Sequence, residues 1–247
     1  MKPPLSDHVA LVTGASRGIG RAVAVRLARA GCRVAGVARS ASDLEQTAQL
    51  AAAEGGAALL AVPADVTSDA ALEDAVRVIR ERLGRITVLI NNAGVAPARG
   101  SVLKTPLLAW DRTLATCLRA PMVLVRLVLP DMLAHGGGAI INIASIYGPV
   151  GAPGYVAYTA SKGAVLAMTK VAALEHAREG IRVNAICPGP VRTPMSEEEG
   201  DASVDVTPLR RRAEPSEISA AVAFLASDDA IYITGADIAV DGGYLAR

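Results

Sequence analysis

Tyr158 and Lys162 lie four residues apart in the run Tyr158-Thr159-Ala160-Ser161-Lys162, a spacing that puts a phenol and an ammonium on one face of a helix. Ser145 follows an apolar run, Ala139–Ala144, that reads as a strand. A hydroxyl, a phenol and an ammonium aimed at one point could manage the proton of a carbonyl/alcohol pair. A free tyrosine titrates near ~10, too high for efficient base catalysis at neutral pH. An ammonium about 5 Å away, at an effective dielectric of ~20, favours the phenolate by roughly 3 kcal/mol. That is about two pKa units. Ser145 would face the negative charge that develops on the substrate oxygen. Neither Tyr147 nor Tyr155 has a lysine four positions on, so both read as pocket lining.

A second group of residues suits phosphate. The run Val9–Val12 leads directly into Thr13-Gly14-Ala15-Ser16-Arg17-Gly18-Ile19-Gly20 and then a helix. Glycines let a backbone turn sharply and approach a pyrophosphate closely, and the helix start offers unpaired N–H groups and a positive dipole end. The spacing is G-x-x-x-G-x-G, not the G-x-G-x-x-G of the common dinucleotide fingerprint. After the second strand, such folds place an acid for a ribose 2′-hydroxyl or an arginine for a 2′-phosphate. Here the tip reads Ala38-Arg39-Ser40, with no acid, and Arg17 stands within the turn. Two guanidiniums match a phosphate dianion, which favours NADP(H) over NAD(H).

The elements that must position these groups alternate. Val9–Val12, Arg33–Val37, Ala58–Val62, Val88–Ile90, Ala139–Ala144, Arg182–Ile186 and Asp237–Val240 are short, rich in β-branched residues and bounded by turn formers, as strands are. Helical stretches fall near 18–30, 41–54, 68–83, 107–134, 155–178 and 215–226. This pattern predicts an α/β fold, a Rossmann-type doubly wound parallel sheet of about seven strands with helices on both faces. Ligands of such sheets bind at the carboxyl ends of the strands. No linker or repeat divides the chain, so residues 1–247 read as one domain. Ser196–Asp205 (SEEEGDASVD) reads as a solvated loop.

Half of the 247 residues are apolar and only 3% are aromatic, which fits alanine-rich helices packed closely on buried strands. A net charge of +1 gives no electrostatic case for nucleic acid or an acidic membrane surface. Cys32, Cys117 and Cys187 are few and widely spaced, so neither a metal nor a disulfide framework is expected, and the compartment reads as reducing. His8, His135 and His176 match no ligand or triad spacing. The N-terminus, MKPPLSDHVALVTG, has no signal-peptide core. Met122–Leu129 is too short to span a membrane and carries Arg126. A cytoplasmic location follows.

Taken in order, TGASRGIG, Asp65-Val66, Asn91-Asn92-Ala93-Gly94, Ser145, the YTASK run ending at Lys162, and Pro188-Gly189 with Thr193 resemble the short-chain dehydrogenase/reductase family almost end to end. The layout is most similar to 3-oxoacyl-carrier-protein reductases and like ketoreductases. The resemblance implies that Tyr158 is the acid/base, that Ser145 orients the substrate oxygen, and that Lys162 binds the nicotinamide ribose and tunes Tyr158. Gly14, Ser16, Arg17, Gly18, Ile19, Gly20 and Arg39 would hold the phosphates. Asp65 and Val66 would contact adenine, Asn91, Ala93 and Gly94 the adjoining ribose region, and Pro188, Gly189, Val191 and Thr193 the nicotinamide end. Substrate contacts would come from Val95, Ile146, Val150, Tyr155 and Arg192 within 95–101, 146–155 and 190–206, with Arg99 as a further anion contact. Residues 194–208 would form a lid. Family members are commonly homotetramers, some homodimers, built through helices corresponding to 107–134 and 155–178.

One position departs from the family pattern. Trp110–Pro121 reads WDRTLATCLRAP and puts Cys117 where the family carries an asparagine that supports an ordered water beside the lysine. A cysteine keeps the main-chain carbonyl and loses the amide. This leaves a second reading, a nucleotide-binding sensor or scaffold with little turnover. Relatives in such roles typically lack the tyrosine–lysine pair that is present here.

Overall fold

In the computed structural model, which describes residues 5–95, 99–196 and 202–247, the apolar runs form seven strands. They are β1 (Val9–Thr13), β2 (Arg33–Ala38), β3 (Leu60–Pro63), β4 (Val88–Asn91), β5 (Gly138–Ile143), β6 (Ile181–Pro188) and β7 (Asp237–Val240). They pair in the order β3-β2-β1-β4-β5-β6-β7, every pair parallel. Between them run α1 (Gly18–Arg29), α2 (Ala41–Ala53), α3 (Asp69–Leu83), α4 (Leu107–Leu114), α5 (Ala120–His135), α6 (Val156–His176), the short α7 (Ala202–Asp205) and α8 (Pro215–Ala226).

Side chains alternate across each strand, so both faces of the sheet are apolar. Ala10 and Val12 join Val23 and Leu27 of α1, Leu44 of α2, and Ile218, Val222 and Leu225 of α8 in one layer. Val9 and Leu11 join Leu72, Val76 and Ile79 of α3 and Leu124, Val128 and Met132 of α5 in the other. Each fully buried leucine or isoleucine in these layers contributes roughly 1.5–3 kcal/mol. Arg80 of α3 clasps Asp131 of α5, its Nε 3.0 and 2.9 Å from the two carboxylate oxygens. Asp131 also accepts the Ile86 N–H at 3.1 Å, which ties both helices to the start of β4.

Capping sets the helix starts. Ser40 accepts the Asp43 N–H and Ser68 the Ala71 N–H, while Glu217 accepts the N–H of Glu214 ahead of α8; each satisfies a donor that the first turn leaves open. The stretch expected as one helix over 107–134 is broken by a π-turn at Ala115–Arg119. Leu107–His135 is long and apolar enough on composition alone to cross a membrane. It is instead a helix of the domain, with α5 seated on the sheet through Leu124, Val128 and Met132.

Chain direction reverses at β1. From it, β2 and β3 step one way and β4 to β7 the other, and the crossover helices splay apart at the carboxyl ends of β1 and β4. Folds of this kind bind ligands in that crevice.

Candidate functional site

A single cleft of about 970 Å³ follows the carboxyl ends of the strands, within the size range of small-molecule sites. At its centre β1 gives way to the glycine turn. Gly14 and Gly18 have φ of +66° and +55°, the left-handed region that favours glycine. A Cβ on Gly20 would collide with the Gly14 carbonyl. No side chain caps α1, so its first amides are left for a ligand. The turn is held from outside. Thr47 donates to the Ala15 carbonyl at 3.0 Å, and Arg21 donates to both Thr47 and the Ser16 carbonyl. Asn92 ties β4 to β1, its Nδ2 donating to the Thr13 carbonyl at 2.9 Å, while Thr13 Oγ1 accepts the N–H groups of Asn92 and Ala93. This cradle fits a dinucleotide phosphate, since backbone and open amides line the space that Cβ atoms would otherwise fill.

At one end of the cleft lie Arg17, Arg39, Asp65, Val66, Thr67 and Arg112. None of the three arginines forms an ion pair with the described residues. The Asp65 carboxyl is held below the usual carboxylate range, first by the Thr67 N–H and then by its hydroxyl, at 2.9 and 2.8 Å. Arg39 and Arg112 add smaller contributions in the same direction.

At the other end stand Ser145, Tyr158 and Lys162. Ser145 follows β5, its Oγ accepting the Tyr147 N–H at 3.1 Å. Tyr158 and Lys162 share a face of α6, with the ammonium 5.5 Å from the centre of the phenol ring. Lys162 is only 4% exposed, and its Nζ donates to the Ile143 carbonyl at 2.6 Å. Burial pushes its pKa below the ordinary lysine value, against a smaller opposing effect of the Cys117 and Cys187 thiols. The site therefore holds a hydroxyl, a phenol and a desolvated ammonium beside the phosphate cradle.

Of the residues singled out in the sequence, Gly14, Ser16, Arg17, Gly18, Ile19, Arg39, Asp65, Val66, Ala93, Gly94, Val95, Ile146, Pro188, Gly189, Val191 and Thr193 also line this cleft. Others stand away from its wall. Gly20 lies behind the turn, where it lets the backbone close on itself. Asn91 points into the protein and donates to Asn142 at 2.8 Å; the neighbouring Asn92 takes its place in the lining. Cys117 is buried within the π-turn, and Thr116 beside it reaches the cleft instead. Val150 is exposed. Tyr155 stacks on Tyr147, and Arg99 lies over its ring. Arg192 turns outward to Glu214 at 2.9 Å. The expected lid lies partly outside the described residues, but Pro194, Met195, Ser196 and Ser203 do line the cleft.

Residues 14–245 match the family model described as Enoyl-(Acyl carrier protein) reductase. The chain is 41% identical to 2-(R)-hydroxypropyl-CoM dehydrogenase of Xanthobacter autotrophicus, covering 97% of this chain and 99% of that protein. It is 38% identical to a 3-oxoacyl-acyl-carrier-protein reductase of Staphylococcus epidermidis over 95% and 97% of the two chains. Levodione reductase superposes with a TM-score of 0.94 at 35% identity, covering 98% of this chain and 99% of that one. An actinorhodin polyketide ketoreductase solved with NADPH does so with 0.90 at 36% identity, over 96% and 97%. The chain belongs to the short-chain dehydrogenase/reductase family, nicotinamide-dependent oxidoreductases of alcohols and ketones.

Proposed function

We propose that this family member is an NADP(H)-dependent oxidoreductase that interconverts a carbonyl and a secondary alcohol, with Tyr158 as general acid/base. The observation that carries this reading is the meeting of Ser145, Tyr158 and a buried Lys162 in the cleft that also holds the glycine turn. The nicotinamide, once bound, supplies or accepts the hydride. Tyr158 gives its hydroxyl proton to the substrate oxygen during reduction and takes one back during oxidation. Ser145 donates a hydrogen bond to the same oxygen, where it offsets negative charge as that charge develops. Lys162, pinned to the Ile143 carbonyl, stabilises the phenolate through space and presents N–H groups to the cofactor ribose.

The preference for NADP(H) rests on Arg17 and Arg39 flanking the cradle, on the lack of an acid at the tip of β2, and on the NADPH bound by the similar ketoreductase. Adenine would lie against Asp65 and Val66, and the nicotinamide end against Pro188, Gly189, Val191 and Thr193. The exposed Leu107, Leu108 and Leu174 on α4 and α6 support a homotetramer. The three buried thiols fit a reducing cytoplasm.

The test is turnover of NADPH, then NADH, with a panel of ketones, diketones and acyl thioesters, with Tyr158→Phe run alongside. NADPH-dependent reduction should fall at least ~100-fold in Tyr158→Phe, as expected for loss of a proton-transfer group. A preference for NADH would overturn the role given to Arg17 and Arg39. Tight NADPH binding without turnover, cured by Cys117→Asn, would favour the nucleotide-binding sensor instead.

A further inference from the structure

We infer that the substrate end of the cleft selects an uncharged ketone or alcohol bearing a flat, unsaturated ring, with Tyr147 as the specificity-determining residue; this rests on the hydride-transfer reading above. The chain has one Phe, one Trp and five Tyr, so aromatic surface is scarce. Yet four of the tyrosines gather beside Ser145. Tyr158 serves the proton, and the other three form a wall. Tyr147 lines the cleft, and its N–H is fixed to Ser145 Oγ. Tyr155 lies against it with ring centres 5.5 Å apart and planes tilted by 31°. Tyr244 meets it edge-on at 6.4 Å and 76°. Arg99 lies over Tyr155 at 5.5 Å, and Arg247 over Tyr244 at 4.5 Å.

Neither Tyr155 nor Tyr244 lines the cleft; they stand behind Tyr147 and hold it. A ring braced in this way needs little reordering when a ligand arrives, which favours binding. The rest of the lining here is uncharged and mostly apolar, from Gly94, Val95, Ile146, Pro190, Pro194 and Met195, with hydroxyls from Thr193 and Ser196. Among the described residues, the only charged side chain lining this end of the cleft is Lys162, held against the Ile143 carbonyl, while Arg99 and Arg247 are engaged over the Tyr155 and Tyr244 rings behind the wall. Arg17, Arg39, Asp43, Asp65 and Arg112 all belong to the opposite end, near the tips of β2 and β3. An anionic substrate would therefore be desolvated without a partner, at a cost. A planar ring would gain a ring–ring contact beyond ordinary area burial, worth about 2- to 10-fold in affinity.

Phenylacetone and cyclohexylacetone test this pair of claims, because they share a skeleton and an unconjugated carbonyl and differ in a flat or puckered ring. With NADPH, the wild type should favour phenylacetone in kcat/KM by about 2- to 10-fold. Tyr147→Leu should bring the ratio close to one, and Tyr147→Phe should retain it. Tyr155→Leu, which removes only a brace, should lower the ratio partly and through KM. A wild-type ratio near one, or a ratio unchanged in Tyr147→Leu, would overturn the inference. If that happened while Tyr158→Phe still abolished turnover, hydride transfer would stand and only the ring selectivity would fall. Should neither ketone turn over, calorimetric affinities of the two for the NADPH-loaded protein apply the same criterion, and equal affinities would again sink it. Benzoylformate reduced faster than phenylacetone would contradict the uncharged half of the proposal.

Discussion

Replacing Lys162 by methionine keeps most of a buried side chain and removes its charge. The ammonium lies 5.5 Å from the centre of the Tyr158 ring. At that separation and an effective dielectric of ~20, it favours the phenolate by about 3 kcal/mol, or about two pH units. The assay is the pH dependence of kcat/KM for alcohol oxidation with NADP+, in which the proposed role requires Tyr158 to be deprotonated. The acidic limb of the profile should move up by about two units in Lys162→Met, and the rate at neutral pH should fall about 100-fold. Lys162 has its own titration to consider. Burial lowers its pKa from the ordinary value of 10.5, so its pull on the phenolate is present below the lowered value and lost as pH rises through it. The two profiles should therefore converge on the alkaline side. Stability carries the opposite sign. The folded protein bears the cost of a desolvated ammonium at neutral pH, and that cost is relieved as pH rises from the lowered value towards 10.5. Lys162→Met should melt above the wild type at neutral pH, despite losing a hydrogen bond worth roughly 1.5–3 kcal/mol, and the gap should close in alkali. An acidic limb that stays within about half a unit of the wild type, in an otherwise impaired variant, would refute the electrostatic reasoning and leave Lys162 only a ribose contact.

Three further outcomes are expected. Arg39→Ser should raise the KM for NADPH about 10- to 100-fold through loss of charge-assisted bonds and change that for NADH far less; equal effects on both would remove Arg39 from the 2′-phosphate. Cys117→Asn introduces the amide that the family resemblance leads one to expect here and should raise turnover several-fold while altering the pH profile; an unchanged rate and profile would show that proton replacement there is not limiting. Burial pushes the Cys32 thiol up to about 12 and the Cys187 thiol up to about 11. Both remain protonated at pH 8 and should resist iodoacetamide in the folded protein, as followed by mass spectrometry, whereas labelling as fast as in urea would contradict the burial given to them.

The sheet was readable because its strands are nearly continuous apolar runs. Asp237–Val240 coincides with β7, and the other strands differ by a residue or two at their ends. The third strand begins later than Ala58 because its start is set by pairing of Leu60 with Ala35, a long-range constraint. The meeting of Ser145, Tyr158 and Lys162 in one cleft was legible because helix spacing and a strand end specify it locally. Asn91 shows the limit of motif reading. Strand alternation puts it on the side of Leu89, towards Asn142, and only that periodicity could have separated it from Asn92. Arg192 finds Glu214 twenty-two positions on, a pairing that no local pattern marks. Arg112 and Thr116 were missed, although their spacing of four residues places them on one helix face.

The π-turn holds one residue more than an α-helical path requires, as an insertion retained in the gene would. Removing one residue within Ala115–Arg119 would restore regular i→i+4 bonding with little rotation of one flank against the other, because five residues of a π-turn sweep about the same angle as four of an α-helix. The α5 flank cannot yield, since Asp131 and Met132 lock it to α3 and the sheet. The α4 flank would keep its bearing too, so what disappears is the local bulge that carries Thr116 to the cleft wall.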